Sequence, residues 1–179
     1  STLFLSKTKN SQETVFGLPR SVTLKVTQGD CQNFVSRNSG GWAAKDPSWD
    51  LFCAFLCKDG LPIDESPLFN PRKPFENRDP RCAATIVEFQ TAHLGYIFQP
   101  HPDSVKVVST AGNKYVENKD TRSIAQYASF NGLLWKKGID GDWLLNSWSV
   151  EPDNIIIRFA DVLLIYAEAQ NRADGTANA

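Results

Sequence analysis

Tryptophan is the side chain whose placement in this sequence suggests binding chemistry most directly. Trp42 follows Gly40 and Gly41 in a stretch rich in Ser, Asn and Gly, where a large ring has little reason to pack. Polar loops of this kind often carry binding residues. A flat aromatic face can stack on a ligand, and Trp offers the largest face. The sequence therefore predicts that Trp42 is a ligand-binding residue, and the alternative is that it caps a local hydrophobic patch.

The other four tryptophans divide into two groups. Trp143 and Trp148 flank residues 144–147 in a Gly- and Asp-rich loop and are candidate ligand-binding residues, with packing as the alternative. Trp49 lies on the apolar face of a predicted short helix and is expected in the core. Trp135 lies in a short extended segment and is expected to pack. Trp42 is therefore the preferred ligand-binding residue, with Trp143 and Trp148 as further candidates.

Charged residues cluster in the run Asn-Arg-Asp-Pro-Arg at positions 77–81. A carboxylate flanked by two guanidinium groups has a lowered pKa and makes a poor general acid. We therefore predict a structural role, in which charge-assisted hydrogen bonds hold an irregular loop. The residues assigned to this role are Asn77, Arg78, Asp79 and Arg81.

Composition and motifs exclude several classes of function. The chain has 19 basic and 20 acidic residues among 179, so it lacks the positive charge typical of proteins that bind nucleic acid or anionic membranes. Its two histidines, His93 and His101, do not have the spacing of a zinc protease, and no nucleophile elbow, phosphate-binding loop or dinucleotide fingerprint occurs. We therefore predict no catalytic residue, no cofactor and no metal site.

The four cysteines fit no zinc-binding spacing. They are Cys31, Cys53, Cys57 and Cys82. The sequence predicts small buried apolar side chains, since free Cys is among the most buried residue types. A disulfide is the alternative, and its pairing is left open.

Short elements separated by loops are predicted for residues 1–150. A helix is expected after Asp46 and Pro47, with Asp46 as its cap, and Asp59 and Gly60 end it. Residues 61–82 contain five prolines and predict an irregular connection, and residues 113–123 predict a polar loop. Extended segments are predicted at residues 22–26, 83–89, 96–98, 105–108 and 133–135.

The strongest predicted element is a helix that begins near Pro152 and runs through residues 155–169. Its charged residues fall on one narrow stripe, where Arg158 and Asp161 are predicted to form a structural pair. A helix that is apolar over most of its surface must be buried over most of it, yet the sequence ends soon afterwards. We therefore expect a partial domain, with a loop-rich lobe at 1–150 and the first helix of a pair at 151–179.

Four segments together resemble the SusD/RagB family of outer-membrane nutrient-binding lipoproteins. In sequence order they are Asp-Gly-Leu-Pro-Ile at 59–63, Asn-Arg-Asp-Pro-Arg at 77–81, Gly-Leu-Leu-Trp-Lys-Lys at 132–137 and the helix at 156–171. Leu133 and Leu134 replace the aromatic pair usual in the third segment. The resemblance extends from about Gln12 to the end of the chain, and it covers a minor part of a family member.

The resemblance implies a mainly α fold, in which a tetratricopeptide-type helix scaffold carries a loop-rich lobe with short β-strands. It also implies non-catalytic binding of oligosaccharide or polysaccharide at the cell surface and delivery to a SusC-like TonB-dependent transporter for nutrient uptake. The implied location is the outer membrane, through an N-terminal lipid anchor absent from this chain. Two alternatives are a glycoside hydrolase fragment and a helical-repeat adaptor without a glycan ligand.

Overall fold

Two antiparallel sheets and three α-helices organise the residues that the computed structural model describes, which are 2–145 and 148–174. The helices are α1 (Trp49–Ala54), α2 (Pro80–Thr85) and α3 (Phe159–Asp174). The strands are β1 (Thr14–Leu18), β2 (Thr91–His93), β3 (Tyr96–Phe98), β4 (Lys106–Ser109), β5 (Lys114–Glu117) and β6 (Asn154–Arg158). Short 3-10 turns lie at Thr2–Phe4, Cys31–Phe34 and Gly141–Leu144.

The prediction of a mainly α, tetratricopeptide-type scaffold is wrong for these residues. Two of the three described helices have only 6 residues each, and all the described strands pair in antiparallel sheets. The main packing between elements runs through strand pairs. Pro and Gly recur too often in the first 150 residues for long helices to form there, because both residues disfavour helix interiors.

The larger sheet has the strand order β2-β3-β4-β5. Leu94 and Gly95, both with positive φ, form the two-residue turn of the hairpin between β2 and β3, as that turn geometry requires. The predicted extended segments at 96–98 and 105–108 are confirmed as β3 and, within one residue at each end, β4. The predicted loop at 113–123 is wrong in part because β5 lies within it as a mostly exposed edge strand, where polar residues are tolerated.

Two predicted strands are not formed. Residues 22–26 form a turn closed by a bridge between Ser21 and Val26, with Lys25 at φ 58°. The segment 83–89 begins inside α2, because Asp79 accepts the backbone N–H of Arg81 as N-cap and Pro80 occupies the first helical turn. Local capping therefore outweighs the β-branched composition of this segment.

The predicted start of the last helix is also wrong. Residues 154–158 are strand β6, which pairs antiparallel with β1, and the helix begins at Phe159. Three consecutive Ile residues favour an extended chain, since β-branched side chains fit a pleated sheet. Arg158 is therefore the last strand residue, and its backbone N–H donates to the Asp161 carboxylate (2.8 Å) at the start of α3. The Arg158 side chain lies 3.9 Å from the same carboxylate, so the two predicted partners are close, with Arg158 on a strand and Asp161 on a helix. Their structural role stays a prediction.

Helix α3 follows β6 directly in the chain and exposes much of its apolar surface. Phe159, Leu163 and Tyr166 are each half-exposed or more. None of the helices in the described part of the chain has the length and apolar character required to cross a membrane.

Buried side chains form three clusters, and the extended segment at 133–135 joins two of them. Leu133 packs with Phe52, while its neighbour Leu134 packs with Val87 and Phe98, because consecutive residues of an extended chain point to opposite sides. The third cluster surrounds Trp143. Cys31, Cys57 and Cys82 are buried, Cys53 is half-buried, and all four are free thiols.

Candidate functional site

Trp42 is displayed by a tight loop over residues 36–42. The backbone N–H of Gly41 donates to Ser36 (2.8 Å), and that of Trp42 donates to Gln32 (2.8 Å). A Cβ atom at Gly41 would collide with the Val35 carbonyl, so glycine is required at this position. The loop leaves the Trp42 ring 50% exposed.

The exposed ring of Trp42 forms one wall of a surface cavity of about 460 Å³, which we call the Trp42 cavity. Tyr127 and Phe130 form further walls, and Phe130 is 85% exposed. The charged residues Arg37 and Asp46 and three alanines complete the lining. Aromatic faces with a few polar groups are the usual composition of a site for a small organic ligand.

A buried polar network holds the Trp42 loop in place. The Asp120 carboxylate accepts the backbone N–H of Arg37 (2.7 Å) and the side-chain amide of Asn38 (2.9 Å). Asn118 is fully buried, and its amide donates to the carbonyls of Gln99 (2.7 Å) and Ser104 (2.6 Å). Burial raises the pKa of Asp120, and the hydrogen bonds from Asn38 and Arg37 lower it in part. The network fixes the loop relative to the larger sheet.

The Phe130 wall is held by its neighbour Asn131. The Asn131 side-chain amide donates to the Pro47 carbonyl (2.7 Å), and its oxygen accepts the backbone N–H of Leu133 (2.9 Å). Gly132 has φ +73°, a conformation that L side chains rarely adopt. These contacts link the Phe130 segment to the segment that carries Trp42.

Asp46 is the titratable group of the cavity whose pKa departs most from its usual value. The pKa of its carboxyl is raised to about 6, chiefly by burial, with a hydrogen bond from Ser129 lowering it and the charge of Asp120 raising it. Its Oδ1 atom is buried and has no hydrogen-bond partner among the described residues. A buried carboxyl oxygen without a partner disfavours the ionised form, in keeping with the raised pKa of Asp46.

The structure does not bring Trp143 or Trp148 to this cavity. Trp143 is 5% exposed and packs edge-on against Phe34, with 6.3 Å between ring centroids. Trp148 is partly buried. Its ring lies beside Gly40 and packs against the core cluster that contains Trp143. Burial leaves Trp143 no free face for a sugar ring, so Trp42 is the predicted binding residue that the geometry supports.

Sequence reasoning did not identify Tyr127 and Phe130. Both are large aromatic residues in a polar stretch before Gly132, the same signal that identified Trp42. The prediction that Trp49 lies in the core is wrong, since it is 45% exposed at the first position of α1. Asp46, predicted to cap α1, instead lines the cavity.

The cap of α1 is Ser48, whose hydroxyl accepts the backbone N–H of Leu51 (3.1 Å). Asp46 lies two residues before this cap and outside the helix. Predicted capping residues can be displaced in this way when a second capping side chain follows closely, since helix boundaries are the least certain part of a prediction.

The run at 77–81 makes the contacts expected of a structural motif. Arg78 is buried, and its guanidinium donates to the carbonyls of Phe52 (2.6 Å) and Phe55 (2.7 Å). Asp79 forms a two-pronged ion pair with Arg81, whose hydrogen bonds lower the pKa of Asp79 to about 2. Asn77 donates to Leu68. The structural role stays a prediction, and these contacts support it.

Comparison with known proteins places the chain in a family. The sequence profile of the SusD family matches residues 12–179, so the chain belongs to the SusD family. A solved structure that it matches is a SusD-like carbohydrate binding protein from Bacteroides fragilis, with a TM-score of 0.72 and 25% identity. The alignment covers 96% of this chain and 32% of that protein, so the chain spans about a third of its length. A search among curated proteins finds no match.

Proposed function

We propose that this chain contributes a non-catalytic glycan-binding site, centred on the Trp42 cavity. The observation that carries the proposal is the arrangement of Trp42, Tyr127 and Phe130 as exposed aromatic walls around one cavity of about 460 Å³. Stacking of C–H patches on such rings provides apolar contact area, and Arg37 and Asp46 provide the polar groups that orient hydroxyls. The SusD family membership and the carbohydrate-binding structural relative agree with this proposal.

The composition of the cavity favours binding over hydrolysis. Glycoside hydrolases generally need two carboxyl groups on opposite sides of the scissile bond. Asp46 has the raised pKa of a general acid, but it is the sole carboxylate that lines the cavity within the described part of the chain. Asp120, whose charge raises the pKa of Asp46, is buried and accepts a hydrogen bond from the backbone of the Trp42 loop. The cavity therefore lacks a second carboxylate in position to act.

The wider role that we propose rests on family membership. We infer that the full-length protein is an outward-facing lipoprotein of the outer membrane. It captures oligosaccharide or polysaccharide at the cell surface and delivers it to a SusC-like TonB-dependent transporter. Co-purification of such a transporter with the tagged full-length protein from outer membranes tests this part of the proposal.

Native electrophoresis in gels that contain polysaccharide tests the binding site. In the full-length protein, Trp42→Ala and Phe130→Ala should each restore fast migration, since each removes one stacking face. Tyr115→Ala is the matched control because Tyr115 is an equally exposed aromatic residue on edge strand β5, away from the cavity. If both cavity variants migrate as slowly as the wild type, the proposed site is wrong. Release of reducing ends that is lost in Asp46→Asn would establish hydrolysis instead.

A further inference from the structure

The buried hydroxyl of Ser129, next to Phe130 in the chain, faces more hydrogen-bond acceptors than it has hydrogens. Its oxygen lies 3.0 Å from the Asn131 side-chain oxygen and 2.9 Å from the Leu133 carbonyl. The Asn131 oxygen already accepts the backbone N–H of Leu133, so it is an acceptor toward Ser129 as well. A hydroxyl has one hydrogen to donate and two lone pairs that accept. Ser129 is therefore short of hydrogens and has lone pairs to spare.

Asp46 is a third group within hydrogen-bond reach of the Ser129 hydroxyl. An ionised carboxylate only accepts, so it competes with Asn131 and Leu133 for the same hydrogen. A protonated carboxyl donates to the Ser129 oxygen instead and leaves the hydroxyl hydrogen for the buried Leu133 carbonyl. The protonated form therefore satisfies this cluster better, since buried acceptors need partners.

No cation offsets the charge of an ionised Asp46. Neither Asp46 nor Asp120 forms an ion pair within residues 2–145 and 148–174. Arg37 lines the cavity, but its Nη1 donates to a loop carbonyl (3.1 Å), and Lys45 pairs with Asp30. The charge of Asp120 repels a charge on Asp46. Hydrogen bonding and electrostatics thus both favour the neutral acid.

A ligand in the cavity strengthens this preference. Asp46 lines the cavity beside the neutral hydroxyl of Tyr127, so a sugar that stacks on the aromatic walls removes water from the carboxyl. Loss of water disfavours the ionised form. The nearby cation Arg122 lies over the Phe130 ring and donates to the Ala128 carbonyl (3.3 Å).

The Ser129 cluster also supports a wall of the cavity. Asn131, which accepts from Ser129, ties the Phe130 segment to Pro47. An ionised Asp46 draws the Ser129 hydrogen away from Asn131 and Leu133, and so weakens the contacts that hold Phe130. Asp46 is therefore a positioning residue, which acts on the aromatic wall through its neighbours.

We propose that glycan binding in the Trp42 cavity is coupled to protonation of Asp46, so that the cavity takes up a proton from solvent as the ligand binds. The inference rests on the proposed glycan-binding function and adds its dependence on pH. The proton bonds to a carboxylate oxygen of Asp46, and the ligand is chemically unchanged.

The direction of the pH dependence follows from the free protein. The pKa of Asp46 without ligand is about 6, and a rise of about one pKa unit on binding corresponds to tenfold in affinity. Because the bound state holds the proton more tightly, affinity is highest below pH 6 and falls as the pH rises through the pKa values of the free and bound states.

Calorimetric titration of the full-length protein with neutral gluco-, xylo- and manno-hexasaccharides at pH 5, 6, 7 and 8 tests the inference. These ligands have no titrating group, so a pH dependence belongs to the protein. For a ligand that binds, wild-type affinity should fall about tenfold from pH 5 to pH 8. Titration at pH 6.5 in phosphate and in imidazole, buffers whose ionisation enthalpies differ, should show uptake of about half a proton per ligand.

Three variants assign the proton. Asp46→Asn keeps the shape of the side chain and a permanent donor toward Ser129, so it should bind about tenfold more tightly than wild type at pH 8, without proton uptake. Ser129→Ala removes the hydroxyl and should reduce the pH dependence. Asp103→Asn changes an almost fully exposed carboxylate outside the cavity lining and should retain the wild-type pH dependence.

The outcomes distinguish this inference from the proposed function. Wild-type affinity that is constant or rises from pH 5 to pH 8, with binding lost in Trp42→Ala, overturns the coupling and leaves the proposed function standing. Proton uptake that persists in Asp46→Asn assigns the proton to another group and also overturns it. Absence of wild-type binding to all three ligands at every pH overturns both. If a thermal melt shows that Asp46→Asn does not fold, wild-type proton uptake and the Ser129→Ala variant decide.

Discussion

Helix α3 and the Trp42 cavity, our binding groove, both expose large apolar side chains, but they differ in what supports those side chains. Phe130 in the groove is 85% exposed and Leu164 on α3 is 68% exposed, so exposure alone does not separate the two regions. In the groove the exposed residues are aromatic, and hydrogen bonds of the buried Asp120 and of Asn131 fix the backbone beneath them. On α3 the exposed residues are mostly aliphatic and lie on a regular helix whose first turn donates backbone hydrogen bonds to Glu13.

The difference indicates which exposed surface is suited to a small polar ligand. Sugars need flat rings at fixed positions together with a few hydrogen-bonding groups, and the groove has both. A smooth aliphatic helix face instead matches another apolar surface, because its stabilisation comes from buried area and has no directional requirement. The polar network under the groove is therefore the feature to test first.

The largest expected effect is on the network that holds the Trp42 loop. Asp120→Ala should destabilise the protein by about 3 kcal/mol, because the backbone N–H groups of Arg37 and Asn38 lose their acceptor in a buried place. Urea denaturation measures the difference. On α3, Glu168→Ala removes an exposed ion pair with Arg172 (2.6 Å) and should cost no more than about 0.5 kcal/mol. Similar losses in both variants would contradict the comparison.

The next effect concerns the buried guanidinium of Arg78, which holds the end of α1. Arg78→Lys should destabilise by about 2 kcal/mol, since one ammonium group cannot replace both Nη2, which donates to the Phe52 and Phe55 carbonyls, and Nη1, which donates to the Pro74 carbonyl. Thermal unfolding measures this loss. Arg81→Lys, in the same motif, is the matched control: its side chain is exposed and should change stability by less than about 0.5 kcal/mol. Because both substitutions keep the positive charge, the absence of any loss at Arg78 would show that the motif acts through charge alone.

A smaller effect should depend on pH. The pKa of Asp46 in the folded protein is about 6, above its ordinary value in an unfolded chain. Its contribution to stability is therefore fully present below about pH 4 and is lost as the pH rises through 6. Asp46→Asn does not titrate at this position, so the variant should gain stability relative to wild type between pH 4 and pH 7. We expect a relative gain on the order of 1 kcal/mol, reduced by solvent screening of this partly exposed group.

Chemical denaturation at pH 4, 5, 6 and 7 measures this gain. Asp103→Asn is the control, since the Asp103 side chain is almost fully exposed. A stability difference between wild type and Asp46→Asn that stays constant over the pH series would show that the Asp46 carboxyl titrates normally.

Much of the family signal and one binding residue were predictable from the sequence. The motif at 77–81 and the segment at 132–137 need only residue identity, and Trp42 needs only the mismatch between a large ring and a Gly-rich polar loop. Tyr127 and Phe130 follow from the same criterion, so their signal was present. Their position beside Trp42 was not predictable, because contacts such as that between Asn131 and Pro47 join segments 84 residues apart.

The fold class was not predictable because long-range pairing overrides local pattern. The apolar run that begins at Ile155 continues without a break into the helix, but its first residues pair with β1, about 140 positions earlier in the chain, and become strand β6. Trp49 was assigned to the core for a related reason. Helical spacing with Phe52 is correct, but spacing alone does not show which of the two rings reaches the interior.

The smallest expected effect on stability lies on α3, and it is the most direct test of how the two regions differ. Leu164→Lys should change the free energy of unfolding of this chain by less than about 0.5 kcal/mol, since a mostly exposed side chain contributes little buried area. It should also reduce self-association at high concentration, because exposed apolar patches promote association. Sedimentation velocity over a concentration series measures the second effect.

Phe130→Lys, at an even more exposed position, is the comparison. It should also leave stability unchanged, but it should abolish the retardation by glycan that Leu164→Lys leaves intact. If Leu164→Lys destabilises the chain by more than about 2 kcal/mol, α3 is packed far more tightly than its exposure indicates, and the two regions do not differ as argued.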